Sequence, residues 1–199
     1  MLCGIDEAGR GPLAGPVTAA AIILPDDFEV SILRDSKKLT ENRREKIRKI
    51  IYSKTFFWSI GWASNEEIDK INILQATFLA MERAYNGVYK KLLNFFKAEQ
   101  RTFEKPDIIV DGKLIPKINN CRSIKALVKA DDLIYEVMAA SILAKTARDK
   151  MMIRYSWLYP EYGYETHKGY GTKKHIEAIK KFGISPITRK SFKVEGITD

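Results

Sequence analysis

Gly4-Ile5-Asp6-Glu7-Ala8-Gly9-Arg10-Gly11-Pro12 is the stretch that governs the reading of the whole chain. It closes an apolar strand, predicted over 2–5, with two adjacent acids, and then turns on two glycines that flank an arginine. An unpartnered carboxylate in a buried strand is costly, so Asp6 calls for a cation. Strand neighbours point to opposite faces. Asp6 and Glu7 therefore serve one site only if the strand twists or ends at Glu7, or if the Glu7 carbonyl contributes.

Outward from this segment the pattern recurs. Asp107-Ile108-Ile109-Val110-Asp111 reads as a short buried strand that delivers a carboxylate at its end, where Gly112 turns the chain. Asp131 and Asp132 open a helix after another apolar segment. Carboxylate oxygens gathered without histidine or cysteine favour Mg²⁺ or Mn²⁺ over Zn²⁺. Several such carboxylates on a basic protein point to metal-assisted phosphoryl transfer, with two ions about 3.5–4 Å apart on the attacking water and the leaving oxygen of a phosphodiester. Gly9 and Gly11 lack a Cβ and permit close approach to a sugar-phosphate. Backbone groups there can read the 2′-hydroxyl that separates RNA from DNA.

The remaining elements frame a mixed sheet covered by helices. Residues 17–24, apolar almost throughout, read as a strand buried on both faces. Thr40 caps a helix over 41–53 with Ile47, Ile50 and Ile51 on one face. Residues 55–63 alternate, placing Phe56, Trp58, Ile60 and Trp62 on one strand face, where the tryptophans read as core. Ser64 and Glu67 have capping-box spacing for a short helix, and a longer helix is expected over 74–96. A strand over 123–128 follows. A helix over 132–155 carries Ala139, Ala140, Ser141, Ala144 and Ala147, small enough to lie close on a sheet. The last helix, 173–182, is stopped by Gly183 and Pro186. No repeat or low-complexity linker divides the 199 residues. An α/β fold in one domain over 1–199 is expected, with a helical C-terminal portion from about residue 151.

Composition excludes several classes. Hydrophobic residues at 45% and charged residues at 30% exclude disorder throughout. The longest mostly apolar stretch, 17–24, falls short of the roughly 18–20 residues a bilayer requires, so no membrane association is expected. Cys3 and Cys121 form no CxxC pair and the N-terminus shows no secretory pattern, so a cytoplasmic protein with free thiols is expected. Lys+Arg 34 against Asp+Glu 25 leaves +9, a surface that attracts polyanions. Lys168, Lys173 and Lys174 surround Gly169-Tyr170-Gly171, and Lys37 and Lys38 precede the first helix. Both clusters are candidates for neutralising phosphates. Tyr170 between glycines suits stacking on a sugar or base. His167 is read as ordering this loop or touching a phosphate, and His175 as a surface helix residue.

These residues resemble a known family. Residues 4–17, Gly4-Ile5-Asp6-Glu7-Ala8-Gly9-Arg10-Gly11-Pro12-Leu13-Ala14-Gly15-Pro16-Val17, are similar to the N-terminal signature of type 2 ribonucleases H of the bacterial ribonuclease HII style. Asp35-Ser36-Lys37-Lys38-Leu39, Asn72-Ile73-Leu74-Gln75-Ala76, Val110-Asp111-Gly112, residues 139–145 with Arg148-Asp149, and His167-Lys168-Gly169-Tyr170-Gly171-Thr172 follow in the family's order. The resemblance implies a ribonuclease H-like fold and endonucleolytic cleavage of RNA in RNA–DNA hybrids. It further implies incision 5′ of single ribonucleotides embedded in duplex DNA, leaving 3′-hydroxyl and 5′-phosphate ends, with Mn²⁺ or Mg²⁺ as cofactor. The family's four acids correspond to Asp6, Glu7, Asp111 and Asp131, its recognition turn to Gly9, Arg10 and Gly11, and its junction-sensing tyrosine to Tyr170. Lys168 joins these substrate contacts from the basic cluster, and a monomer is expected.

The chain departs from the family pattern in two places. The fourth acid usually follows a lysine-glycine pair, but here it follows Lys129-Ala130 and is followed by Asp132. Aligning the lysine selects Asp131, with Asp132 as the alternative. Thr188-Arg189-Lys190-Ser191-Phe192 stands where the family often has a histidine before two arginines and Ser-Phe. A rival reading is a non-catalytic nucleic-acid-binding protein on the same fold. The carboxylates argue against it, because they repel a phosphate backbone unless a metal offsets them. A type 3 ribonuclease H carries an additional N-terminal domain, for which the position of Asp6 is expected to leave no room.

Overall fold

The computed structural model describes residues 1–33 and 40–193. Lys37, Lys38 and the 35–39 motif lie outside the described residues. Five strands are formed: β1 (Leu2–Ala8), β2 (Val17–Ile22), β3 (Trp58–Ala63), β4 (Asp107–Asp111) and β5 (Ser123–Leu127). They lie in one sheet in the order β3-β2-β1-β4-β5. β1 is antiparallel to β2 and parallel to β4, β3 is antiparallel to β2, and β5 is parallel to β4. This is the mixed sheet the sequence predicts. The helices are α1 (Glu41–Lys54), α2 (Asn65–Ala98), α3 (Ala130–Leu133), α4 (Tyr135–Leu158), α5 (Tyr164–His167) and α6 (Lys173–Phe182).

The period-2 rule partitions the core. Ala19 and Ala21 of β2, with Cys3 and Ile5 of β1, face α2, whose Ala76, Ala80, Ala84 and Val88 pack against them. Ala20 and Ile22 face the other way, onto Ile47 and Ile51 of α1 and the run from Met138 to Ala144 of α4. β2 is buried along its whole length, as expected. Small residues set how closely α4 can lie. A Cβ on Gly4 would stand 2.2 Å from the Glu136 carbonyl carbon, so only glycine admits the helix at this distance. A third cluster, with Ala14, Met152, Tyr162, Tyr164, Ile179 and Ile187, fastens the C-terminal helices to the end of α4 and to the turn after β1. Residue 151 falls inside α4, which runs on unbroken to Leu158.

Several boundaries differ from expectation for identifiable reasons. The capping box is present, with Ser64 Oγ accepting from the Glu67 N–H and Glu67 accepting from the Ser64 N–H. The short and long helices it introduces are joined across a kink at Asn72 (φ 65°, ψ 166°), whose Oδ1 caps the N–H groups of Leu74 and Gln75. The helix expected over 132–155 is interrupted at Ile134, which has extended dihedrals. Ile50 is exposed because α1 is buried through Ile47 and Ile51 alone. Phe56 precedes β3 and is exposed, so it does not share the face of Trp58 and Ile60, which pack on the α1/α4 side. His175 was expected on the surface and is fully buried, because α6 turns that side toward Tyr164 and His167.

Candidate active site

The parallel β1–β4 ladder ends at the pair Ile5↔Val110. The next residue on each strand is a carboxylate, Asp6 and Asp111, so the two acids emerge side by side at the C-terminal edge of the sheet. Beyond Ile5, β1 keeps only β2 as a neighbour. Asp6 faces α4, where Ser141 hydrogen-bonds it. Glu7 faces α2 and also lines a second cavity there, with Leu74, Phe78 and Met81. β1 continues through Ala8, so the requirement that the strand end at Glu7 does not hold. Both side chains instead reach one space around the open end of the sheet.

That space is a cavity of about 450 Å³ lined by Asp6, Glu7, Asp111 and Asp131, by Gly9, Arg10, Gly11 and Tyr170, and by Arg44, Ser141, Lys145 and Arg148. Asp131 is 7% exposed and lines it, whereas Asp132 is exposed and is not among the lining residues. Lys129 in left-handed geometry (φ 60°) starts the single turn of α3, and the Ala130 N–H donates to Asp111 Oδ1 at 2.7 Å. Lys168 does not line the cavity. Its ammonium folds back onto the Glu165 carbonyl, and its own carbonyl accepts from Arg148. The basic side chains Arg44, Lys145 and Arg148 were assigned no role from sequence. Ser141, Lys145 and Arg148 stand at i, i+4 and i+7 of one helix, a spacing that marks one face.

The electrostatics are unbalanced at the acids. Burial drives the Asp6 carboxyl well above its ordinary range, and the charges of Glu7 and Asp111 add to it. The Ser141 hydroxyl and the Glu7 N–H, 2.7 Å from Oδ1, offset part of this. Glu7 is likewise raised by burial, against the pull of Arg10 at 3.3 Å. Glu7 Oε2 is buried without a hydrogen-bond partner. An orphaned carboxylate oxygen beside further acids, in an all-oxygen donor set, fits a hard divalent cation. Among the described residues no group of three or more acidic, histidine or cysteine side chains is drawn together closely enough to hold a metal ion by itself. Mg²⁺ characteristically takes one or two carboxylates and completes its shell with water and substrate phosphate.

The glycine-arginine-glycine turn and the tyrosine loop are fastened together. Leu13 N–H donates to the Gly169 carbonyl at 2.8 Å. A methyl group on Gly11 would stand 3.7 Å from the Tyr170 ring. His167 and His175 stack with centroids 4.6 Å apart beneath this loop, and His175 Nδ1 donates to the Tyr170 carbonyl at 2.9 Å. His167 therefore orders the loop from inside.

A family model for ribonuclease HII matches residues 3–195. The chain belongs to the ribonuclease HII family. It is 73% identical to the ribonuclease HII of Treponema denticola over 198 residues, which cover 99% of this chain and 100% of that one. Among solved structures, the ribonuclease H2 of Pyrococcus horikoshii OT3 superposes with a TM-score of 0.68 at 26% identity, covering 96% of this chain and 93% of that one. Bst-RNase HIII in complex with Mn²⁺ shares the fold, with a TM-score of 0.65 at 19% identity over 92% of this chain and 62% of that one. The ribonuclease HII family places the chain among the type 2 ribonucleases H, which are endoribonucleases, and its sheet and helices form the ribonuclease H-like fold.

Proposed function

We propose that this cavity cleaves the RNA strand of RNA–DNA hybrids and incises 5′ of single ribonucleotides embedded in duplex DNA, leaving 3′-hydroxyl and 5′-phosphate ends. One observation carries the reading. Four carboxylates from three separate stretches line the same space as the glycine-arginine-glycine turn and Tyr170. Asp6, Glu7, Asp111 and Asp131 would hold Mg²⁺ or Mn²⁺, with Asp6 central because it is the most buried and lies between Glu7 and Asp111 in charge. Such ions, when bound, activate water and stabilise the leaving oxygen of a phosphodiester.

The chain's own groups supply the rest. Arg10, Arg44, Lys145 and Arg148 set positive charge around the acids, where it steers a phosphate backbone inward. Arg10 is also ion-paired with Glu7, which offsets part of the effect of burying that carboxylate. Tyr170, 45% exposed, presents its ring face to a sugar next to the scissile phosphate. The cavity is complete within one chain, so the proposed enzyme acts as a monomer.

The test is cleavage mapping on a duplex carrying one ribonucleotide, with Mg²⁺, Mn²⁺ or EDTA. Cuts 5′ of the ribonucleotide with either metal are expected, and none in EDTA. Asp6→Asn is expected to abolish cutting while leaving hybrid binding intact. Near wild-type turnover in that variant removes Asp6 from the mechanism. Tight binding without cutting favours the non-catalytic alternative, and metal-independent cutting removes the cation from the mechanism.

A further inference from the structure

Two arginines are buried at 1% and 0% exposure, Arg148 on α4 and Arg189 beyond α6. The ion pairs found among the described residues include neither of them. Their guanidinium groups donate to main-chain carbonyls instead. Arg189 grips Gly15 O at 2.9 Å, Arg10 O at 2.8 Å and Gly9 O at 2.6 Å. Arg148 grips Pro16 O at 3.0 Å, Ala14 O at 3.1 Å and Lys168 O at 3.0 Å. A buried charge without a counter-ion is an expensive way to satisfy carbonyls that neutral donors would satisfy.

The peptide plane gives these contacts a consequence. No peptide bond among the described residues is cis. In a trans peptide the C=O of one residue and the N–H of the next point in opposite directions. Arg189 draws the carbonyls of Gly9 and Arg10 inward, so the N–H groups of Arg10 and Gly11 are turned the other way. Gly9, Arg10 and Gly11 all line the cavity. Successive N–H groups aimed at one point make a concave donor pair for an anionic or hydroxyl oxygen. The guanidinium charge behind the two peptides polarises both N–H bonds outward.

We propose that Arg189 is a positioning residue: its fork on the Gly9 and Arg10 carbonyls aims the Arg10 and Gly11 amides at an acceptor oxygen of the substrate strand. Arg148, through Lys168 O and Ala14 O, holds the tyrosine loop at a fixed distance from that pair. The proposal rests on the reading of the cavity as a ribonucleotide-cleaving site and adds what sets its grip.

Arg189→Lys keeps the charge and loses the fork. On the single-ribonucleotide duplex its KM is expected to rise about tenfold with kcat within about threefold of wild type, since binding and not chemistry is perturbed. Binding of the same duplex in EDTA, read by fluorescence anisotropy, is expected to weaken in step. A variant with a lowered melting temperature but unchanged KM and anisotropy overturns the proposal and leaves Arg189 a structural residue. If Arg189→Lys does not fold, the wild-type chain decides. In ¹⁵N–¹H spectra titrated with the duplex in EDTA, the Arg10 and Gly11 amides are expected to shift. Stationary Arg10 and Gly11 peaks alongside moving Tyr170 signals overturn it. Failure of the wild type to cut this duplex with metal would instead sink the functional reading.

Discussion

Gly9→Ala puts the packing behind the turn to a quantitative test. Gly9 has φ 95°, a region that L side chains rarely adopt, and an alanine there costs about 1–3 kcal/mol in backbone strain. The new Cβ would also stand 1.9 Å from Arg148 Nε and 2.3 Å from its Cδ. These atoms lie mid-chain in a side chain pinned at its far end by three carbonyls, so it cannot swing aside freely. Shifting it forfeits at least one charge-assisted hydrogen bond, about 1.5–3 kcal/mol. The sum is about 2.5–6 kcal/mol, a large part of the roughly 5–15 kcal/mol that holds a domain folded. Urea unfolding measures it. In an Arg148→Ala background the clash is gone, and the same substitution is expected to cost only its backbone share, about 1–3 kcal/mol. A Gly9→Ala cost below about 1 kcal/mol, or equal costs in the two backgrounds within about 0.5 kcal/mol, would refute the argument.

Asp6→Asn is expected to raise stability by about 1 kcal/mol while removing activity, because it relieves repulsion from Glu7 and Asp111 in a buried site; thermal melts check this, and a lower melting temperature counts against it. Burial holds both His167 and His175 below their ordinary 6.5, so the unfolded chain takes up protons first as pH falls. Their stabilising contribution is therefore complete above about 6.5 and is lost progressively as pH drops through and below that value. The difference in urea midpoint between pH 7.5 and pH 5.5 is expected to shrink in His175→Phe, and an unchanged difference would exclude the pair as its source. The Cys3 thiol, pushed up to about 12 by burial, is expected to resist a thiol reagent at pH 8.5 until the protein unfolds, whereas the half-buried Cys121 labels in the native state. Labelling of Cys3 at the native rate of Cys121 would contradict that burial.

The parts of the molecule that obey short-range rules were legible in the sequence. Thr40 and Ser64 cap the helices they were expected to cap, and β4 delivers Asp111 where an apolar run predicted it. The partition of Asp6 and Glu7 onto opposite faces was legible too. What was not legible was the route by which both reach one cavity. That depends on β4 stopping one residue after Val110, a long-range pairing that no local pattern encodes. His175 was misplaced for a similar reason. It stands four residues before Ile179 on the buried side of α6, a spacing that signals the face, but the rings that cover it, Tyr164 and His167, come from a four-residue helix with no periodic signal. Arg148 and Arg189 look like surface cations in sequence, because a guanidinium satisfied by backbone carbonyls leaves no acidic partner to find. Lys168 was picked for its charge, yet it contributes its carbonyl.

The recognition turn sits between two opposite errors of charge. On its outer side buried carboxylates repel one another, with Glu7 Oε2 unpartnered. On its inner side Arg148 and Arg189 are buried without an ion pair among the described residues, and burial lowers the guanidinium of Arg189 to about 9. The obvious stabilising change would be to pair the two sets directly. Arg10 does pair with Glu7, at the exposed rim. The peptide planes of the turn accept hydrogen bonds from Arg189 and line the acidic cavity. Those planes can respond by a single orientation, carbonyls to the arginines and N–H groups to the cavity. A turn fixed this way by field as well as by contact does not need to reorganise when a strand arrives, and low reorganisation is where electrostatic sites gain most of their effect. It also follows that neutralising the arginine side should loosen the turn, by an amount that depends on the charge of the acids facing it. Arg189→Gln, which removes the charge, and Asp6→Asn are then expected to be coupled although their side chains belong to different hydrogen-bond sets. A double-mutant cycle on duplex affinity in EDTA would show this as a departure from additivity beyond about 0.5 kcal/mol, and strict additivity would mean that the turn is held by its contacts alone.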